Sequence, residues 1–92
     1  MSSERIDEIF DIDAINKQVS EVIKKIESVT TAMENSVKKI AACNGEIASS
    51  KTFDELTKAT GKFIKVNNEY VYQTKEMAKL KQMETQLNQK LQ

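Results

Sequence analysis

The 92-residue chain contains no histidine, proline or tryptophan, only one cysteine and only two glycines. Without histidine it lacks the commonest general base at neutral pH and the commonest zinc ligand. Because proline is absent and glycine is scarce, nearly every residue is free to be helical. Cys43 has no second cysteine to pair with, which is typical of a reducing compartment, and we interpret it as a small apolar filler.

An excess of charge of one sign is also missing, because 14 basic residues balance 14 acidic residues. The lysines are scattered among acids, whereas a nucleic-acid surface needs concentrated positive charge, so no nucleic-acid partner is expected. Residues 1–46 hold nine acids and six bases, and residues 47–92 hold five acids and eight bases. The two halves, at −3 and +3, are expected to attract each other.

The sequence also lacks motifs for chemistry. It has no glycine-rich phosphate loop, and no histidine that would activate Cys43. Asp7, Glu8, Asp11 and Asp13 are close together but lack the spacing of a calcium loop, and we interpret them as acids that favour a helix N-terminus. We therefore expect no enzymatic activity, no cofactor, no metal site and no small-molecule substrate.

Targeting and membrane segments are not evident either. The acidic start of the chain does not have the pattern of a Sec-type signal peptide, and no stretch approaches the ~20 apolar residues of a membrane span. The sequence predicts a soluble, cytoplasmic protein without a membrane partner and leaves export by a specialised system open.

Apolar residues recur with a seven-residue period, in two blocks. More than three heptads with paired apolar rows indicate coiled-coil packing. The first block has rows at Ile12, Val19, Ile26, Met33, Ile40 and Ile47, and at Ile15, Val22, Val29, Ser36 and Cys43; the second has rows at Leu56, Phe63, Tyr70, Met77, Glu84 and Leu91, and at Ala59, Val66, Gln73, Leu80 and Leu87.

The two blocks are out of phase, which predicts a turn between them. Asn44-Gly45 is typical of a helix end, and Thr52-Phe53-Asp54-Glu55 matches a capping box that begins a new helix. We therefore predict one all-α domain over residues 1–92, an antiparallel two-helix coiled-coil hairpin. Helix one runs from about 11 to 44, the turn from 45 to 51 and helix two from about 52 to 91.

Three details of this hairpin have alternatives. The first ten residues are interpreted as a separate helical turn, with Asp11 or Asp13 capping the main helix. A break at Thr60-Gly61 would leave residues 47–60 as a short middle helix, but the heptad continues in phase across Gly61 and favours an uninterrupted helix. Ser36, Gln73 and Glu84 are polar at core positions, where they either set the register or mark places where the helices splay.

The apolar stripe is wider than two helices need, which favours association into a multi-helix bundle. The alternative is that lysine stems cover the extra row. We expect a homo-oligomer or another helical protein as the partner, and the predicted interaction face comprises Ile23, Val37, Phe63, Ile64, Tyr70, Val71 and Met77.

The chain resembles the N-terminal coiled-coil region of bacteriophage tail tape-measure proteins. The resemblance covers most of the chain and lies in residues 49–60, from Ser49-Ser50-Lys51 to Lys58-Ala59-Thr60, and in the Lys/Glu/Gln-rich helix that follows. It implies a segment of a longer helical rod that oligomerises in a phage tail, and so a virion-associated location as the alternative to a cytoplasmic one. The leucine pattern that runs to Leu91 without a stop signal is consistent with that.

The chain is also similar to the WXG100 family of small secreted helical hairpins, in length, in hairpin shape and in Tyr72-Gln73-Thr74-Lys75-Glu76, which fits their Y-x-x-x-D/E export pattern. It departs from that family in having Cys43-Asn44-Gly45 where a Trp-x-Gly turn is expected. This resemblance implies a secreted protein that pairs with a similar small partner. A client-binding chaperone or regulatory module is a third hypothesis.

Overall fold

The fold is an antiparallel hairpin of two long helices. A computed structural model describes residues 2–91, with side chains from residue 11 onward. Helix α1 spans Ser2–Ser49 and helix α2 spans Phe53–Lys90, and residues 50–52 join them. The molecule is a rod of 77 × 15 × 15 Å. Within the described residues there is no strand, and the predicted all-α hairpin is confirmed.

The contact between the helices, called the seam below, is formed by the predicted heptad rows. Val22, Ser36, Cys43, Ala59 and Leu87 are buried, and most other seam positions are half-buried. Only the row ends, Ile12, Leu56 and Leu91, are exposed. No large side chain in the described part of the chain is completely buried, as expected when each helix has a neighbour on one side only.

The turn lies later in the chain than the sequence predicted. Residues 45–49 belong to α1, and no glycine in the described range has a positive φ. The prediction of a helix end at Asn44-Gly45 is therefore wrong. The reason is packing: Ile47 is half-buried on the seam, and its burial is worth more than the ~1 kcal/mol that a helical glycine costs.

Serine side chains mark the actual end of α1. Ser49 Oγ donates to the carbonyl oxygen of Gly45 over 2.9 Å, and Ser50 Oγ donates to that of Glu46 over 2.7 Å. The backbone N–H of Ser50 reaches the carbonyl of Ile47 at 3.2 Å, which tightens the last turn. The bonds to Glu46 and Ile47 occupy carbonyl groups of the last turn, where backbone partners run out.

The predicted capping box begins α2. Thr52 has an extended backbone, and its Oγ1 accepts from the N–H of Glu55 at 3.1 Å. The Glu55 carboxylate accepts from the N–H of Lys51 at 2.9 Å, one residue before the cap rather than at the cap itself. Two backbone donors are thereby satisfied, which makes a three-residue connection sufficient.

The predicted start of α1 is wrong, whereas the predicted bounds of α2 agree with the structure. Helix α1 begins at Ser2 and not near residue 11, since no proline or glycine interrupts the chain before Gly45; Asp11 and Asp13 lie inside the helix and do not cap it. Helix α2 passes through Gly61 without a break, as the in-phase heptad predicted, and its bounds agree with the predicted ones to within a residue.

Candidate interaction surface

Four of the seven predicted interface residues lie on the surface. Ile23 is 40% exposed, Val37 51%, Ile64 54% and Val71 42%. Large aliphatic side chains with this exposure are partly in water. Any cover by lysine stems is therefore incomplete, since 40–54% of each side chain stays exposed.

The other three predicted residues, Phe63, Tyr70 and Met77, are half-buried on the seam. Tyr70 and Met77 also line a groove of about 600 Å³ that opens beside the seam, together with Met33 and Val37. Thr30, Glu34, Lys38 and Lys81 complete its walls. The seam residues therefore form the floor of an open groove, with Val37 on its rim.

The seam divides the hairpin into two sides. At 100° per residue, residues that are seven apart in the chain form a row along one side of a helix. The rows on the same side of the seam as the groove form a surface that we call the low-charge face. It consists of the rows Asn16-Ile23-Thr30-Val37-Asn44 and Asp13-Ser20-Glu27-Glu34-Ala41-Ala48 of α1, and Phe53-Thr60-Asn67-Thr74-Lys81-Asn88 and Thr57-Ile64-Val71-Ala78-Thr85 of α2.

The low-charge face carries few ionised groups for its length. The charged residues of its rows are Asp13, Glu27, Glu34 and Lys81, and Lys38 reaches its groove from the neighbouring row. The opposite side, which we call the charged face, holds thirteen: Asp11, Glu21, Lys25, Lys39, Glu46, Glu55, Lys58, Lys62, Lys65, Glu69, Glu76, Lys79 and Lys90. Depletion of charge is what distinguishes the core of a protein interface from ordinary surface.

The exposed apolar side chains are also unequally divided. Ile23, Val37, Ile64 and Val71 lie on the low-charge face, and Phe53, 81% exposed at the start of α2, extends it towards the turn. Tyr72 and Met83 lie on the charged face. Sequence reasoning missed Phe53 because it was assigned only to the capping box. Sorting all residues by helical row, once the seam was known, would have found it.

Electrostatic contacts between the helices are sparse. Among the described side chains there is one ion pair, between Lys62 Nζ and Glu46 Oε2 at 3.4 Å, and both groups are exposed. Exposed pairs of this kind contribute about 0–1 kcal/mol. The opposite charges of the two halves of the chain therefore contribute little through direct pairing, and the apolar seam holds the helices together.

The described part of the structure holds no cluster of possible metal ligands. No three side chains among His, Cys, Asp and Glu come together there. Cys43 is buried on the seam. The predicted acidic cluster falls partly on residues 7 and 8, whose side chains lie outside the described residues. Neither helix, over its described length, has an apolar stretch long enough to cross a bilayer.

Comparison with known proteins does not place this chain in a family. No protein-family model, no curated protein and no solved structure matches it. The low-charge face is therefore interpreted from its own geometry and composition.

Proposed function

We propose that this chain is a non-enzymatic structural protein that acts by self-association of its helical hairpin through the low-charge face. The observation that carries the proposal is the exposure of Ile23, Val37, Ile64 and Val71 on the side of the hairpin that is depleted of charge. Exposed apolar surface of this kind on a small protein is typical of an interaction site.

The thin core supports the same proposal. A hairpin of two helices leaves each seam residue open on the sides, and no large side chain in the described residues reaches full burial. A second hairpin on the low-charge face would bury the groove floor formed by Met33, Tyr70 and Met77. Association therefore completes a core that one hairpin leaves open.

The test is the solution mass, measured by light scattering after size exclusion across a concentration series. We expect a dimer or a higher oligomer of the unaltered chain. The double variant Ile64→Lys, Val71→Lys should be monomeric and keep its helicity by circular dichroism, because both side chains are exposed in the hairpin.

A matched control is available on the charged face. Tyr72→Lys with Met83→Lys also replaces two exposed apolar side chains by lysine, and this variant should remain oligomeric. A clean monomer of the unaltered chain at high concentration would contradict self-association. Loss of helicity in the first variant would instead assign Ile64 and Val71 to the hairpin's own core.

As for the biological role, we propose a segment of a phage tail tape-measure assembly, supported by the resemblance of residues 49–60 and of the helix that follows, and by the rod shape of the hairpin. The WXG100-like alternative has less support, because the turn lies at residues 50–52 and not at Gly45. Neighbouring tail genes would favour the first role, a secretion ATPase gene the second, and a client gene a chaperone-like role.

A further inference from the structure

The two helices contribute charges of opposite sign to the low-charge face. In the rows of the low-charge face, α1 carries the acids Asp13, Glu27 and Glu34, with Lys38 reaching the groove from the neighbouring row, whereas α2 carries Lys81. Among the described side chains, none of these five takes part in an ion pair. If a second copy places its α2 over α1 of the first, charges of opposite sign therefore come together.

The hydrogen bond between Ser36 and Gln73 aligns the two helices along the rod. Counting from it in opposite directions, Glu27 lies at about the height of Lys81, and Val37 lies at about the height of Val71. Each pair matches to within about 3 Å at 1.5 Å per residue. On the low-charge face, the acid of one helix and the base of the other are thus level, and so are the two valines.

Symmetry determines which residues of two copies would meet. A two-fold axis parallel to the rod leaves every residue at its own height and places α1 of one copy against α2 of the other. Glu27 then faces Lys81 of the second copy and Val37 faces its Val71, each pair occurring twice. All neighbouring helices are antiparallel in this four-helix bundle.

The other possible two-fold axis, perpendicular to the rod, gives a different contact. It places α1 against α1 and α2 against α2. The three acids of α1 in one copy then face α1 of the other copy, which carries the same acids. The perpendicular axis never brings Glu27 to Lys81. Charge complementarity therefore selects the axis parallel to the rod.

The size of the face is sufficient for such a contact. From Ile23 to Ala48 it is about 40 Å long at 1.5 Å per residue, and it is as wide as the 15 Å cross-section. The projected area is about 600 Å², and the accessible surface of the side chains exceeds their projection. A standard stable interface buries about 800 Å² on each partner.

We infer that the occupant of the low-charge face is a second copy of this chain, side by side and pointing the same way, with Val37 over Val71 and Glu27 over Lys81. The inference rests on the proposed self-association and adds the arrangement of the two copies. It makes the bundle a rod with both turns at the same end.

Cross-linking between single-cysteine chains tests this arrangement. Two variants are made in a Cys43→Ala background, one with Val37→Cys and the other with Val71→Cys, and one of them carries a mass tag. The chains are mixed in equal amounts and treated with a short bismaleimide. We expect mixed covalent dimers several-fold in excess of either homodimer, because only the mixed pair faces across the interface.

The control is Tyr72→Cys in place of Val71→Cys, which moves the cysteine by one residue onto the charged face; we expect it to give no mixed product. Homodimers of the Val37→Cys chain in excess would show the perpendicular axis and overturn the inference. A dimer by light scattering that gives no cross-link would overturn it too, while leaving self-association standing. A monomer would overturn both.

Exchanging the charges of Glu27 and Lys81 tests the arrangement of the two copies independently. Glu27→Lys should weaken dimerisation by roughly tenfold, because the two-fold axis repeats the unfavourable contact. Adding Lys81→Glu to that chain should restore the original affinity. Failure of the second substitution to restore it would show that the two residues do not face each other.

Discussion

Ser36 and Gln73 are the polar residues in the middle of the apolar seam. Ser36 is 3% exposed, and its Oγ donates to Oε1 of Gln73 over 2.9 Å. The bond satisfies a buried hydroxyl that would otherwise lose its hydrogen bonds to water. A slip of either helix by one turn would separate the two groups, so the pair acts at the scale of single residues to set the register.

Removing one partner of this hydrogen bond should therefore lower the free energy of unfolding more than removing both partners. Ser36→Ala leaves the half-buried carbonyl of Gln73 without its donor, and we expect a loss of about 1 kcal/mol in the free energy of unfolding. Ser36→Ala with Gln73→Leu leaves no polar group unpaired and should recover most of that loss. Urea denaturation of the three chains measures both effects, and equal stability of Ser36→Ala and the parent would contradict the register role.

The sequence predicted helices α1 and α2 but misplaced the turn between them. Heptad spacing predicted both helices and nearly all seam residues, since side chains that must be buried repeat with the period of the coil. The Thr52 cap followed from local chemistry in the same way. The turn was misplaced because an Asn-Gly signal worth ~1 kcal/mol competes with the burial of Ile47, and a single sequence does not rank those terms.

The candidate surface was predictable only in part. Four exposed aliphatic residues followed from the width of the apolar stripe. That they share one side, and that this side is poor in charge, depends on which flanks of two antiparallel helices come together. The groove that Val37 of α1 and Lys81 of α2 line together shows which flanks these are.

A helical Gly45 has a measurable consequence for α1. A Cβ built on this residue meets no atom within 4 Å, and its φ is not positive. Gly45→Ala should therefore raise the free energy of unfolding by about 1 kcal/mol. A helix that ended at Asn44 with a left-handed glycine would instead be destabilised. Thermal denaturation decides the sign, and Ala42→Gly, at another exposed position of α1, should shift the stability by a similar amount in the opposite direction.

For the whole molecule, the two helices alone form only a thin core, so its stability should rise with protein concentration. If the oligomer covers the low-charge face, unfolding must also separate the copies, and the melting temperature of the parent chain should rise with protein concentration. The Ile64→Lys, Val71→Lys chain should melt at a lower temperature that does not change over the same range. Calorimetry at several concentrations checks this, and a constant melting temperature for the parent would contradict it.

The three-residue connection between α1 and α2 also orders the events of folding. Beside it, Ser50 and Ala59 line the same small cleft and are nine residues apart in the chain, whereas Val22 and Leu87 share a cleft near the other end across 65 residues. The entropy lost on closing a loop rises with its length, by about 0.6 kcal/mol for each doubling. Contacts beside the connection therefore form at the lowest entropic cost, and each pair that forms shortens the closure required for the next. We therefore expect folding to begin beside the turn and to proceed towards the far ends of the two helices.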